Sequence, residues 1–147
     1  MHVACMNFFE CACKTLIQTL VCQIIWIVVS YSWTEIGLEE EEFAKYAEKI
    51  IANHQTWEDV NAIIIKDVCA SFAFESFLLF PCMLWFLMPD WEYDNDYLEN
   101  RMKRWYAKPY WTHFINPLRL LGLPLALLFS NGVRKKLKRE YQKIILK

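Results

Sequence analysis

Glycine is scarce in this chain, with three residues in 147, and histidine is equally rare. So few glycines leave little material for a phosphate-cradling loop, and neither a G-x-G-x-x-G nor a Walker pattern occurs. His2, His54 and His113 stand far apart, so no spacing suits a catalytic or structural metal. H-E-x-x-H and G-x-S-x-G are also missing, and the sequence is read as that of a non-enzyme with no cofactor. No Asn-x-Ser/Thr acceptor occurs, so nothing points to glycosylation in a secretory lumen.

What the chain has in excess is apolar and aromatic surface, 56% and 16% of its residues. Ordinary globular domains hold roughly 45–50% apolar residues. Its charges are abundant but segregated. The first hundred residues carry a net charge of −12, and residues 101–147 a net charge of +11, so the overall −1 conceals a bipolar molecule. In a membrane protein such asymmetry reports sidedness.

Three apolar stretches organise the chain. Residues 15–33 run nineteen residues without a charge and end in Tyr31 and Trp33, enough to cross ~30 Å of hydrocarbon with aromatic rings at the headgroup layer. A cleaved signal over residues 1–32 is the alternative, since Ser30-Tyr31-Ser32 loosely fits a small-x-small site; the leader is poor, and the segment is read as an anchor. Residues 68–88 form a second expected span with a single charge, Glu75, and a kink at Pro81. Between them, residues 34–67 are an acidic loop with helical content. Glu39–Glu42 suit a first helical turn, and Thr56 followed by Asp59 marks a new helix at Trp57.

Residues 89–109 read as a polar connector that changes charge sign midway. Within 110–130 the apolar core spans only Leu118–Phe129 and contains Arg119, Gly122 and Pro124. That length suits a re-entrant or in-plane element better than a crossing, although a third span is the competing reading. Asn131-Gly132 is an expected turn. Residues 133–147 follow as a basic amphipathic helix, with Val133, Leu137, Tyr141 and Ile144 on one face. The expected fold is therefore an all-α membrane protein in one domain: a two-helix hairpin, a short third membrane element and amphipathic helices outside. The positive-inside bias puts the acidic loop opposite the basic segments.

Glu75 is the most informative residue. A carboxylate in a membrane helix must be neutral, paired or wet. A structural lock to a partner is the plainer role and a proton or ion pathway the sharper one, with Arg119 as its internal candidate partner. The six cysteines read as free thiols, with juxtamembrane acylation of Cys11 or Cys13 the one modification considered. A zinc site from His2, Cys5, Cys11 and Cys13 lacks a second ligand pair. Arg134, Lys135, Lys136, Lys138 and Arg139 would meet anionic phospholipid headgroups rather than nucleic acid.

These features point to a non-catalytic accessory subunit of a larger membrane complex, with other membrane subunits and anionic lipids as partners and no small-molecule substrate. A mitochondrial inner-membrane bioenergetic assembly of respiratory-chain or ATP synthase type is the favoured setting. A protein of the endoplasmic reticulum membrane and a small homo-oligomeric channel using Glu75 are the alternatives.

Overall fold

The computed structural model describes residues 19–53, 55–80, 92–109, 111, 113 and 115–146. Every regular element among them is helical. Residues 19–30 form helix α1, followed by a short 3-10 turn over Tyr31–Trp33. Helix α2 spans Glu40–Ala52; α3, Trp57–Ile63; α4, Ala73–Leu79; α5, Asn95–Tyr106; and α6, Pro117–Ile145.

Local chemistry sets the helix ends. Glu40, Glu41 and Glu42 occupy the first turn of α2, where the positive end of the macrodipole favours acids. The Glu42 carboxylate accepts the Glu39 backbone N–H at 3.3 Å. Thr56 Oγ1 accepts the Asp59 N–H and starts α3, satisfying one donor that a helix start leaves open. Helix α3 runs on through a π-helical stretch, Ile64–Cys69, towards α4.

The connector expected over 89–109 contains a twelve-residue helix, α5. The midway sign change is the signature: Asp96 lies in its first turn, and Lys103 and Arg104 lie in its last. Leu98, Met102 and Trp105, at i, i+4 and i+7, supply its buried face.

A larger departure concerns residues 117–145. The expected short membrane element, the Asn131-Gly132 turn and the basic helix form a single helix of 29 residues. Pro117 takes an N-terminal position where its missing N–H costs nothing. Pro124 sits inside the helix on an exposed edge. Gly132 meets no neighbouring atom, so nothing forces a turn there. Buried residues on both sides, from Ala126 and Ser130 to Leu137 and Tyr141, hold the helix straight through.

Core formation explains the apolar runs. A helix apolar on all sides belongs in a protein core or a bilayer. Ile25, Val28 and Val29 of α1 are fully buried, packed with Trp26, Trp33, Phe43, Phe72 and Ile64. The Trp33 indole stacks on Phe72 at 4.5 Å, and its N–H donates to Ser76 Oγ at 2.7 Å. Among the described residues no helix is long and apolar enough to cross a membrane. The two-span hairpin therefore finds no support there; residues 15–18 and the Pro81 segment, 81–91, lie outside the described residues.

Helices α4 and α6 pack most extensively. Gly122, Ala126 and Ser130 recur every fourth residue along α6, where small side chains let backbones approach closely. At Gly122 the approach is extreme: a Cβ would fall 1.7 Å from the Ala73 carbonyl oxygen. Because the obstacle is backbone, a rotamer change cannot relieve it. Gly122→Ala should destabilise the fold by ~3 kcal/mol or more in denaturant unfolding. Gly132→Ala, in open space, should be neutral or stabilising by up to about 1 kcal/mol. Equal effects at the two positions would exclude close packing at Gly122.

Candidate functional site

Arg101 organises a polar cleft where α4, α5 and the start of α6 converge. It projects from α5, one turn before Trp105. Its guanidinium contacts Glu75 Oε1 at 2.7 Å. It also donates to Ser71 Oγ at 2.8 Å, the Ser71 carbonyl at 2.6 Å and Tyr97 Oη at 2.8 Å. The same plane lies over the Phe72 ring at 3.9 Å, a cation–π contact. Ser71 and Phe72 form the junction before α4, so the fork of Arg101 caps a discontinuity in the helix it grips.

Asp67 provides a second clamp. Trp105 Nε1 donates to its Oδ1 at 3.1 Å and Tyr106 Oη to its Oδ2 at 2.7 Å. Burial, then the bond to Asp67, pushes the Tyr106 phenol well above its ordinary value. Helix α5 is thus pinned to residues 67–75 at two points a little over one turn apart along it.

The third component is Arg119. Its guanidinium donates to His113 Nδ1 at 3.3 Å and lies over the Trp105 ring at 5.3 Å. The His113 imidazole stacks on Trp105 with centroids 3.6 Å apart, and Nε2 lies 3.1 Å from the Trp105 carbonyl. These partners assign the neutral tautomer: Nε2–H donates to the carbonyl and Nδ1 accepts from Arg119. Desolvation first, then the charges of Arg119 and Lys108, hold the His113 pKa below its ordinary value, against the Trp105 carbonyl and Asp67.

A cavity of about 310 Å³ opens among these groups, with Arg104 and Lys108 on its wall. Four cations face it, Arg101, Arg104, Lys108 and Arg119, against the single carboxylate Glu75. The site is strongly electropositive.

The expected site residues fall as follows. Glu75 is paired, but its partner is Arg101 rather than Arg119. Arg119 is close enough to Glu75 to feel its charge. Of the basic set on the second half of α6, Arg139 binds Glu40 at 2.9 Å; Lys136 lies over Phe43, and Lys138 over Trp57. These three turn towards the acidic helices, and Tyr141 Oη donates to the Gln55 carbonyl at 2.6 Å. The acidic and basic segments, expected on opposite sides, therefore pack together, because charge complementarity acts within the chain. Arg134 and Lys135 make no ion pair among the described residues.

Cys11 and Cys13 lie outside the described residues. Cys22 and Cys69 are free thiols. Burial pushes Cys69 up to about 11, and its Sγ–H donates to Ser130 at 3.2 Å, so it is inert packing rather than a nucleophile. No cluster able to hold a metal ion occurs among the described residues. Arg101 and Trp105 escaped notice in the sequence; the i, i+4, i+7 spacing of Leu98, Met102 and Trp105 was the available signal.

A second surface adjoins the cleft. Trp111, Ile115, Leu120, Leu121 and Leu128 are 48–67% exposed, and Leu118 37%. The outward face of the first half of α6 is thus wholly apolar.

Comparison with known protein families, curated proteins and solved structures returned no match.

Because the folded state depresses the His113 pKa, its contribution to stability is complete above about pH 6.5. It is lost as pH falls from there through the lower folded value. Protonation would also set an imidazolium N–H against the donating Arg119. His113→Gln should therefore show a shallower loss of thermal stability below about pH 6.5 than the wild type. Parallel curves would remove His113 as the titrating group.

Proposed function

We propose that this chain is a non-catalytic subunit of a larger membrane assembly, and that it meets the bilayer through the first half of α6 lying in the interface plane. The observation carrying this reading is the exposed apolar face of Trp111, Ile115, Leu118, Leu120, Leu121 and Leu128. Contiguous apolar patches of this kind mark interaction surfaces, since leaving them in water forfeits burial energy. A lipid surface suits this one because Arg119, between Leu118 and Leu120, belongs to the electropositive cleft that Arg104 and Lys108 also line, and such cations fit anionic headgroups. Trp111 has the amphipathic ring that favours the headgroup layer. In-plane seating also removes the need for 117–129 to cross the hydrocarbon, which its length and prolines disfavour.

Assembly with other membrane subunits follows from the small size of the apolar face, since one half-helix gives modest and reversible attachment alone. The mitochondrial inner membrane is the proposed setting, with the endoplasmic reticulum second; fractionation of cells carrying the tagged chain separates the two.

Flotation with phosphatidylcholine vesicles, with and without an anionic lipid, tests the seating. The wild type should float with the anionic vesicles. Leu121→Glu combined with Leu128→Glu should lower partitioning about a hundredfold or more, while the unfolding midpoint barely changes because both side chains are exposed. Flotation of the double variant at the wild-type level would refute the α6 seating. Native-detergent isolation should recover unrelated membrane proteins at fixed stoichiometry; recovery of this chain alone as a homo-oligomer would favour the channel alternative.

A further inference from the structure

We infer that the cleft beneath Arg101 is a binding site for a phosphate group that carries a hydrogen-bond donor beside its charged oxygens. The inference rests on the cleft alone and holds whether or not the α6 face meets a lipid surface.

Charge comes first. Arg101 is neutralised by Glu75, but Arg104, Lys108 and Arg119 have no ion-pair partner among the described residues. Three cations without an ion pair face one cavity and repel each other, with Glu75 the single carboxylate on its wall, and an anion placed between them offsets that repulsion. Arg104 uses Nε on the Asn100 carbonyl at 3.2 Å, which fixes the stem of its guanidinium. Arg119 keeps a buried Nε–H that finds no acceptor among the described residues. A buried donor without an acceptor is costly, and a ligand oxygen relieves it.

Ligand class follows from the donor set. Two arginine forks and an ammonium match the oxygens of a phosphate, which accepts bidentate, charge-assisted hydrogen bonds. A phosphomonoester carries about −1.5 to −2 charges near neutrality, enough to offset most of the local excess. The cavity, about 310 Å³, lies at the low end for small-molecule sites and suits a headgroup-sized ligand.

Glu75 sets the selectivity. Its Oε1 is held by Arg101, while its Oε2 is buried and has no donor among the described residues. A carboxylate oxygen at the edge of an anion site repels a bare anion but accepts a hydrogen bond from a P–OH or an adjacent ester hydroxyl. Hydrogen phosphate satisfies this oxygen; sulfate, with no proton at neutral pH, does not. Glu75 therefore acts as a filter for protonated or hydroxyl-bearing phosphates, and as the resident counter-ion that keeps Arg101 in place.

Titration calorimetry of the whole chain with inorganic phosphate, and separately with sulfate, tests the site without any membrane. Phosphate should bind at least about tenfold more tightly than sulfate. Lys108→Ala and Arg104→Ala, both exposed positions, should each weaken phosphate binding about tenfold without altering the fold. Glu75→Gln should narrow the phosphate-to-sulfate preference, because an amide donates to sulfate as well. No phosphate binding by the wild type, or binding unchanged in both Lys108→Ala and Arg104→Ala, overturns the proposal. The source of the phosphate is read from a parallel arm with phosphatidic acid in phosphatidylcholine vesicles. Vesicle binding displaced by inorganic phosphate identifies a lipid headgroup. Phosphate binding with no preference for phosphatidic acid identifies a soluble ligand. A chain that binds phosphate but fails to float keeps this site and loses the membrane seating; the converse result does the reverse.

Discussion

The close approach of two backbones, Gly122 of α6 against the Ala73 carbonyl of α4, is the constraint on which the rest of the molecule depends. It sets how deeply α6 sinks into the bundle, and so the direction in which every other side chain of that helix points. With Gly122, Ala126 and Ser130 turned inward, Arg119 falls at the edge beside Glu75 and the leucines fall outward. A helix standing off by one methyl group would open the cleft and move Arg119 away from His113. Packing, rather than charge, thus determines where the charges meet.

Electrostatics then operates within that frame. Helices α2 and α6 bring the acidic and basic halves of the chain together through Arg139 and Glu40. These contacts are exposed, and individually they contribute little. Arg104, Lys108 and Arg119, which form no ion pair among the described residues, gather instead around Arg101. The bipolar sequence therefore resolves into a contact between its acidic and basic helices and a separate electropositive cleft.

Much of this was legible in the residues. The starts of α2 and α3 follow from Glu39–Glu42 and Thr56, because capping is a local property. The need of Glu75 for a partner followed from the cost of an isolated carboxylate in apolar surroundings. The identity of that partner did not, since Arg101 meets Glu75 through a tertiary contact between α5 and α4 that no local pattern encodes. The apolar runs were legible as runs, but a helix apolar all round has two physical solutions, lipid and core, with the same composition. Residues 131 and 132 misled for a related reason. An Asn-Gly pair favours a turn only where tertiary packing leaves the backbone free, and buried side chains on both sides bind this stretch into α6.

The late position of α6 in the chain bears on how the protein is made. Helices α2 and α4 and the Tyr31–Trp33 turn emerge from the ribosome before α6, the helix that packs against them. At about 5–20 residues per second, the 29 residues of α6 take roughly 1.5–6 s to appear. Throughout that interval the nascent chain displays apolar helices of the kind that targeting factors and chaperones bind. Whatever receives those helices during synthesis competes directly with α6 for the same surface.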